Sequence, residues 1–140
     1  MNPAKKFKLR PSKPRPLIEN DVERQCLDAL RWRLWHPERL HAGTFKTLDG
    51  RYITGHPKGT PDYVVIHAVF PAFYLEVKRP GQKPSPDQEH KHAELHLYRL
   101  AVVTVDSYQT LLAWLAEHEQ KARESWLCES ASAFSTQNQQ

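Results

Sequence analysis

The chain has 140 residues, which at roughly 100–200 residues per domain makes one domain rather than two. With 39% hydrophobic and 26% charged residues, neither a membrane protein nor a fully disordered chain fits, and no apolar run approaches the ~20 residues that cross a bilayer. The N-terminal region is basic but has no apolar segment after it, which argues against secretion. Cys26 and Cys128 form no CxxC pair, so neither a disulfide scaffold nor a thiolate zinc site is expected, and a reducing, intracellular setting is.

Residues 1–16 hold Lys5, Lys6, Lys8, Arg10, Lys13 and Arg15 with no acid, while the remaining 124 residues sum to −2. Pro3, Pro11, Pro14 and Pro16 keep that arm out of helix and sheet, so it reads as a flexible polycation suited to non-specific phosphate contact. From Leu17 to Trp35, Ile18, Val22, Cys26, Leu27, Leu30 and Leu34 recur at helical spacing, and Pro37 ends the pattern. The stretch from His36 to Gly59 predicts a loop plus a hairpin turning through Leu48-Asp49-Gly50-Arg51, with Asp49-Gly50 as the turn pair.

Tyr63–Ile66 and Ala72–Lys78 are short, β-branched or aromatic runs split by Pro71, predicting two antiparallel strands. After the proline-rich Arg79–Pro86, Ser85 is placed to cap a helix with Pro86 at its first position, carrying Gln88 to about Leu97. Leu100–Val105 predicts a strand buried on both faces. A last helix is expected from about Ser107 to Arg123, with Leu111, Leu112, Trp114 and Leu115 as its buried stripe. Residues 124–140, polar and poor in apolar groups, are expected to be disordered. Residues 17–123 thus form an α/β domain, helices flanking a mixed sheet.

Within that domain, strand alternation sends Leu75 and Val77 to one face and Glu76 and Lys78 to the other. Gly59-Thr60-Pro61-Asp62 sets an aspartate at the start of the neighbouring strand, and a hairpin brings it near Glu76. Two hard oxygen ligands at an open site suit Mg2+ or Mn2+.

These residues resemble the PD-(D/E)xK nuclease superfamily and, within it, the VRR-NUC family. The resemblance rests on the ordered set Gly59-Thr60-Pro61-Asp62, Glu76-Val77-Lys78-Arg79-Pro80-Gly81, Ser85-Pro86-Asp87-Gln88 and Val103-Thr104-Val105-Asp106-Ser107, with an early helix carrying Glu19, over about residues 17–116. It implies a restriction-endonuclease-like core and a Mg2+- or Mn2+-dependent endonuclease that cuts DNA, including branched or otherwise structured DNA. Asp62, Glu76, the Val77 carbonyl and Glu19 would hold the ion, Lys78 would orient the attacking water or stabilise charge on the phosphate, and Gln88 would steady either. Asp21 and Glu23 are rivals to Glu19. Stand-alone family members occur in phages and bacteria, so the resemblance also implies a bacterial cytoplasm.

His56, Lys58, Arg79 and Lys83 are candidate phosphate contacts, each also readable as plain surface charge. His92 and His96 lack the glutamate spacing of a zinc-protease helix. Trp32, Trp35, Trp114 and Trp126 are candidates for base stacking, although Trp114 lies on a buried stripe. With no base-reading motif, shape and backbone contacts should dominate, and a homodimer is one way for so short a chain to engage two strands. The alternative is a nucleic-acid-binding module that keeps the fold without catalysis.

Overall fold

The computed structural model describes residues 16–137; of the basic arm, only Pro16 falls among them. Helix α1 (Glu19–Trp32) forms because Val22, Cys26 and Leu30 recur every four residues and make one buried stripe. At its start the Asp21 carboxylate accepts from the Ile18 N–H at 3.3 Å. The helix ends short of the expected Trp35. The N–H groups of Leu34 and Trp35 donate to the carbonyls of Arg31 and Leu30, both at 3.0 Å, and Leu34 sits at φ 63° in the left-handed position that glycine usually fills. This turn swings Leu34 outward and buries Trp35 instead. The Trp35 indole N–H donates to Glu119 Oε1 at 3.2 Å, while Arg33 lies 3.5 Å from the other oxygen of that carboxylate. The end of α1 is thereby tied to the last helix.

Strand β1 (His36–Arg39), in a stretch expected to be loop, exists through its partner. It pairs antiparallel with β4 (Tyr63–Ile66), His36 opposite Ile66 and Arg39 opposite Tyr63, and its Pro37 is tolerated because β1 is an edge strand. Between them, β2 (Thr44–Lys46) and β3 (Tyr52–Thr54) form the expected hairpin, with Gly50 at φ 85° in its turn. β4 pairs antiparallel with β5 (Phe73–Val77) and β5 parallel with β6 (Ala101–Val105), giving the sheet order β1-β4-β5-β6. The crossover between the parallel strands is α2 (Pro86–Leu97). Ser85 Oγ accepts from the Gln88 N–H at 3.4 Å and Gln88 Oε1 accepts from the Ser85 N–H at 2.8 Å, a reciprocal cap that starts the helix where the serine-proline pair predicts.

Helix α3 (Tyr108–Gln137) runs well past Arg123. The expected disordered tail is therefore corrected up to Gln137: from Glu124 onward the chain has no glycine or proline to stop the helix, and it is rich in alanine, serine and glutamate. Tyr63, Val65, Phe73, Leu75, Val77, Val103 and Val105 line one face of the sheet and pack with Val22, Cys26 and Leu30 of α1 and Leu111 and Leu115 of α3. β6 is less enclosed than expected, with Ala101, Val102 and Thr104 only half-buried. The result is an α/β domain, three helices packed on a four-stranded mixed sheet. Among the described residues no helix is long and apolar enough to cross a membrane.

Candidate metal centre

The β4–β5 pairing carries the chemistry. Tyr63 stands opposite Leu75, so continuing the register by one residue sets Asp62 beside Glu76. Asp62 Oδ2 accepts from the Val77 N–H at 2.8 Å, and the Asp62 carbonyl accepts from the Leu40 N–H at 2.8 Å. The carboxylate is thus fixed against β5 by the strand it faces.

Glu76 and Lys78 share the sheet face opposite the apolar core, as alternation predicts. Both are buried, Glu76 at 1% exposure, and Lys78 Nζ lies 2.7 Å from Glu76 Oε1. The same oxygen accepts from Gln88 Nε2 at 2.5 Å. Because the Gln88 carbonyl oxygen is taken by the Ser85 N–H, its amide nitrogen is the end left to point at Glu76. Glu76 Oε1 therefore holds two donors, while Oε2 is buried with no hydrogen-bond partner. A bare buried carboxylate oxygen is costly unless something electropositive meets it. Burial pushes the Glu76 carboxyl up to about 7, with the Asp62 and Glu19 carboxylates adding to the rise and Lys78 opposing it. Burial also raises Asp62, against the Val77 N–H and Lys78.

Of the three acids at the start of α1, two are committed elsewhere. Asp21 caps the helix, and Glu23 Oε1 accepts from the Tyr63 hydroxyl at 2.6 Å and from Arg39 at 3.2 Å. Glu19 has no hydrogen-bond or ion-pair partner among the described residues, and its charge is felt at Glu76. It lines an open cleft of about 440 Å3 with Ile18, Asn20, Arg79 and Gln82. Among the described residues no three His, Cys, Asp or Glu side chains converge into a ready-made metal cluster. The centre therefore offers two adjacent carboxylates, while Glu19 lines a cleft whose walls include neither of them.

The candidate phosphate contacts are spread around this centre. Arg79 is exposed and opens onto the cleft, and Lys83 is exposed. Lys58 is held 2.6 Å from Asp87 at the start of α2, which keeps its ammonium protonated more firmly than usual. His56 is exposed and bridges in parallel to Ala42 at the foot of the hairpin. Trp35 is core and Trp114 half-buried against it, so neither is free to stack on a base; Trp126 stacks on Phe70 with ring centroids 5.9 Å apart. Only Trp32 stands bare, at 89% exposure.

One neighbour was missed by the sequence reading. His92, one turn after Gln88 on α2, has a buried Nε2 with no partner, and burial, His96 and Lys78 together push its pKa down. The four-residue interval from Gln88 was the available signal.

Gly59 explains how Asp62 is delivered. It is buried at φ 85°, and a Cβ there would run into the Asp87 carbonyl, with the carbonyl carbon 2.7 Å away. Gly59→Ala should therefore both strain the turn and push α2 from the sheet, costing about 3 kcal/mol. Thermal unfolding measures that loss, and a melting temperature equal to wild type would contradict it. No family model matches the chain, and no curated protein does.

Proposed function

We propose that this domain is a divalent-metal-dependent nuclease that hydrolyses DNA phosphodiester bonds, with the PD-(D/E)xK arrangement on its restriction-endonuclease-like sheet. The observation that carries the reading is the buried, partnerless Glu76 Oε2 beside Asp62, with Lys78 bound to the other oxygen of the same carboxylate. A hard cation is the natural occupant of such a place, since both side chains offer oxygen and a bare carboxylate oxygen cannot stay buried cheaply.

Asp62 and Glu76 would hold the ion, with the Val77 carbonyl and Glu19 as the further oxygens the sequence resemblance implies. Bound there, Mg2+ or Mn2+ would polarise the phosphate and lower the pKa of a water. The chain's own contribution is positional and electrostatic. Gln88 and Lys78 fix the rotamer of Glu76 by holding Oε1, which leaves Oε2 as the free ligand atom. The Lys78 ammonium, enclosed and pinned, supplies a fixed positive charge where the phosphate becomes more negative. Arg79, in the adjoining cleft without a carboxylate partner among the described residues, would neutralise a neighbouring phosphate.

The test is cleavage of labelled linear, flap and four-way-junction DNA by the full chain in Mg2+, Mn2+ or EDTA. Cut product in metal and none in EDTA is expected. Binding without any cut in either metal would instead support the non-catalytic nucleic-acid-binding reading, and the ratio of products among the three substrates measures selectivity for branched DNA.

A further inference from the structure

The β2–β3 hairpin stands off the domain. Its two strands contact each other and no other helix or strand. Both are exposed where described, and three of the ribbon's apolar side chains are bare: Leu48 fully, Tyr52 at 72% and Ile53 at 55%. A lone two-stranded ribbon is marginal in water, and no helix or other strand packs on this one in return. Its geometry is nevertheless well specified. Thr47 N–H donates to the Arg51 carbonyl at 2.8 Å, Gly50 N–H to Thr47 at 3.0 Å, and Arg51 Nε pairs with Asp49 at 2.7 Å to brace the turn.

The foot of the ribbon leads directly to the metal centre. His56 N–H donates to the His41 carbonyl at 2.8 Å, Gly55 N–H to Gly43 at 2.7 Å, and one residue before His41 the Leu40 N–H donates to the carbonyl of Asp62 itself at 2.8 Å. From Thr44 to Thr54 the chain carries Lys46 and Arg51 against the single acid Asp49, and since Arg51 pairs with that acid, Lys46 is the cation left without a carboxylate partner among the described residues. Lys46 Nζ lies 5.9 Å from the Tyr52 ring centre, so cation and aromatic face present together.

We propose that this ribbon is a nucleic-acid arm, which lies along the duplex beside the cleavage point and holds it by phosphate contact from Lys46 and apolar contact from Tyr52 and Ile53. The occupant is nucleic acid because the ribbon's unpaired charge, Lys46, is positive, because the residue before its foot, Leu40, is hydrogen-bonded to the Asp62 backbone, and because a two-stranded ribbon is of a size that the major groove admits. This assignment rests on the nuclease reading only for the place of the duplex on the protein; the arm's affinity for DNA is measured separately from cutting.

The test compares the full wild-type chain with Lys46→Ala, with Tyr52→Ser/Ile53→Ser, and with a chain whose 45–53 segment is replaced by a short Gly-Asn-Gly turn. Anisotropy of a labelled linear duplex in EDTA reads binding, Mn2+-dependent cutting reads KM and kcat, and sedimentation without DNA reads oligomeric state. The double variant and the shortened chain should bind at least about tenfold more weakly, with KM raised to match and kcat within about threefold of wild type. Lys46→Ala should flatten the slope of log affinity against log salt by about 1. Because no helix or other strand contacts the ribbon, melting temperature should stay within about 2 °C. Unchanged affinity in all three variants overturns the arm, as does a wild-type dimer that the variants turn to monomer, which would make a second copy the occupant. A wild type that binds through the ribbon but never cuts sinks the nuclease reading and leaves the arm standing.

Discussion

Glu76→Gln should lower the rate of DNA cleavage at saturating substrate by about a thousandfold, with the domain still folded. The amide keeps the size of the side chain and still presents an oxygen to Lys78 and Gln88, so the packing around position 76 has little reason to change. What it loses is charge at the one buried oxygen that no protein donor satisfies. Lys78→Ala should cost about a hundredfold to a thousandfold by a different route, the loss of a fixed cation near the phosphate. It also removes the hydrogen bond and charge that draw the Glu76 carboxyl down, so its pH-rate profile should move to higher pH, which the Glu76→Gln profile cannot do. Single-turnover cleavage across pH measures both. Glu76→Gln cutting at the wild-type rate would remove the metal centre from the mechanism.

The second large effect concerns stability without metal. Burial raises the Glu76 carboxyl from 4.5 to about 7, so the folded protein binds this proton more tightly than the unfolded chain does. A raised acid stabilises fully below the unfolded value and loses that contribution as pH climbs to the folded value. In EDTA, the stability contributed at this position should therefore fall between pH 4.5 and about 7, by up to about 3 kcal/mol. Asp62, also raised, acts in the same direction. Denaturant unfolding of wild type against Glu76→Gln isolates the effect, because every other carboxylate is common to both. The difference should grow with pH and then level off above 7. Added Mn2+ should reverse the trend, since proton and ion compete for one carboxylate and the ion's stabilisation rises as the proton leaves. A difference that is flat with pH would mean that Glu76 is ionised throughout.

Much of this was legible in the residues because local rules and the fold agree there. Ser85-Pro86 and Gln88 signal a helix start by chemistry that needs no distant partner, and the alternation in Phe73–Lys78 sorts Glu76 and Lys78 from Leu75 and Val77 unaided. β1 was not legible. His36-Pro37-Glu38-Arg39 has no strand pattern of its own, and only the edge of β4 makes it one. The end of α1 was hidden for a related reason: Leu34 takes a left-handed position that glycine normally announces, so the turn that buries Trp35 leaves no mark in the sequence. The extension of α3 is the opposite case, since the lack of any glycine or proline after Arg123 is plain in the sequence, and a polar composition does not by itself end a helix. Within the centre, residue types and strand pairing gave Asp62, Glu76 and Lys78 and the family resemblance gave Gln88, but not which carboxylate oxygen stays bare or that His92 sits near Lys78, because both follow from side-chain direction rather than spacing.

The two acids come from neighbouring strands of one hairpin, joined by only His67–Ala72, whereas the parallel partner β6 must wait for the whole of α2 to be laid down between. Closing a short loop is quick and parallel pairing is slow. During folding, the acidic pair should thus be assembled ahead of the glutamine and the helix that later brace it, so that two like charges stand side by side before the rest of the domain encloses them.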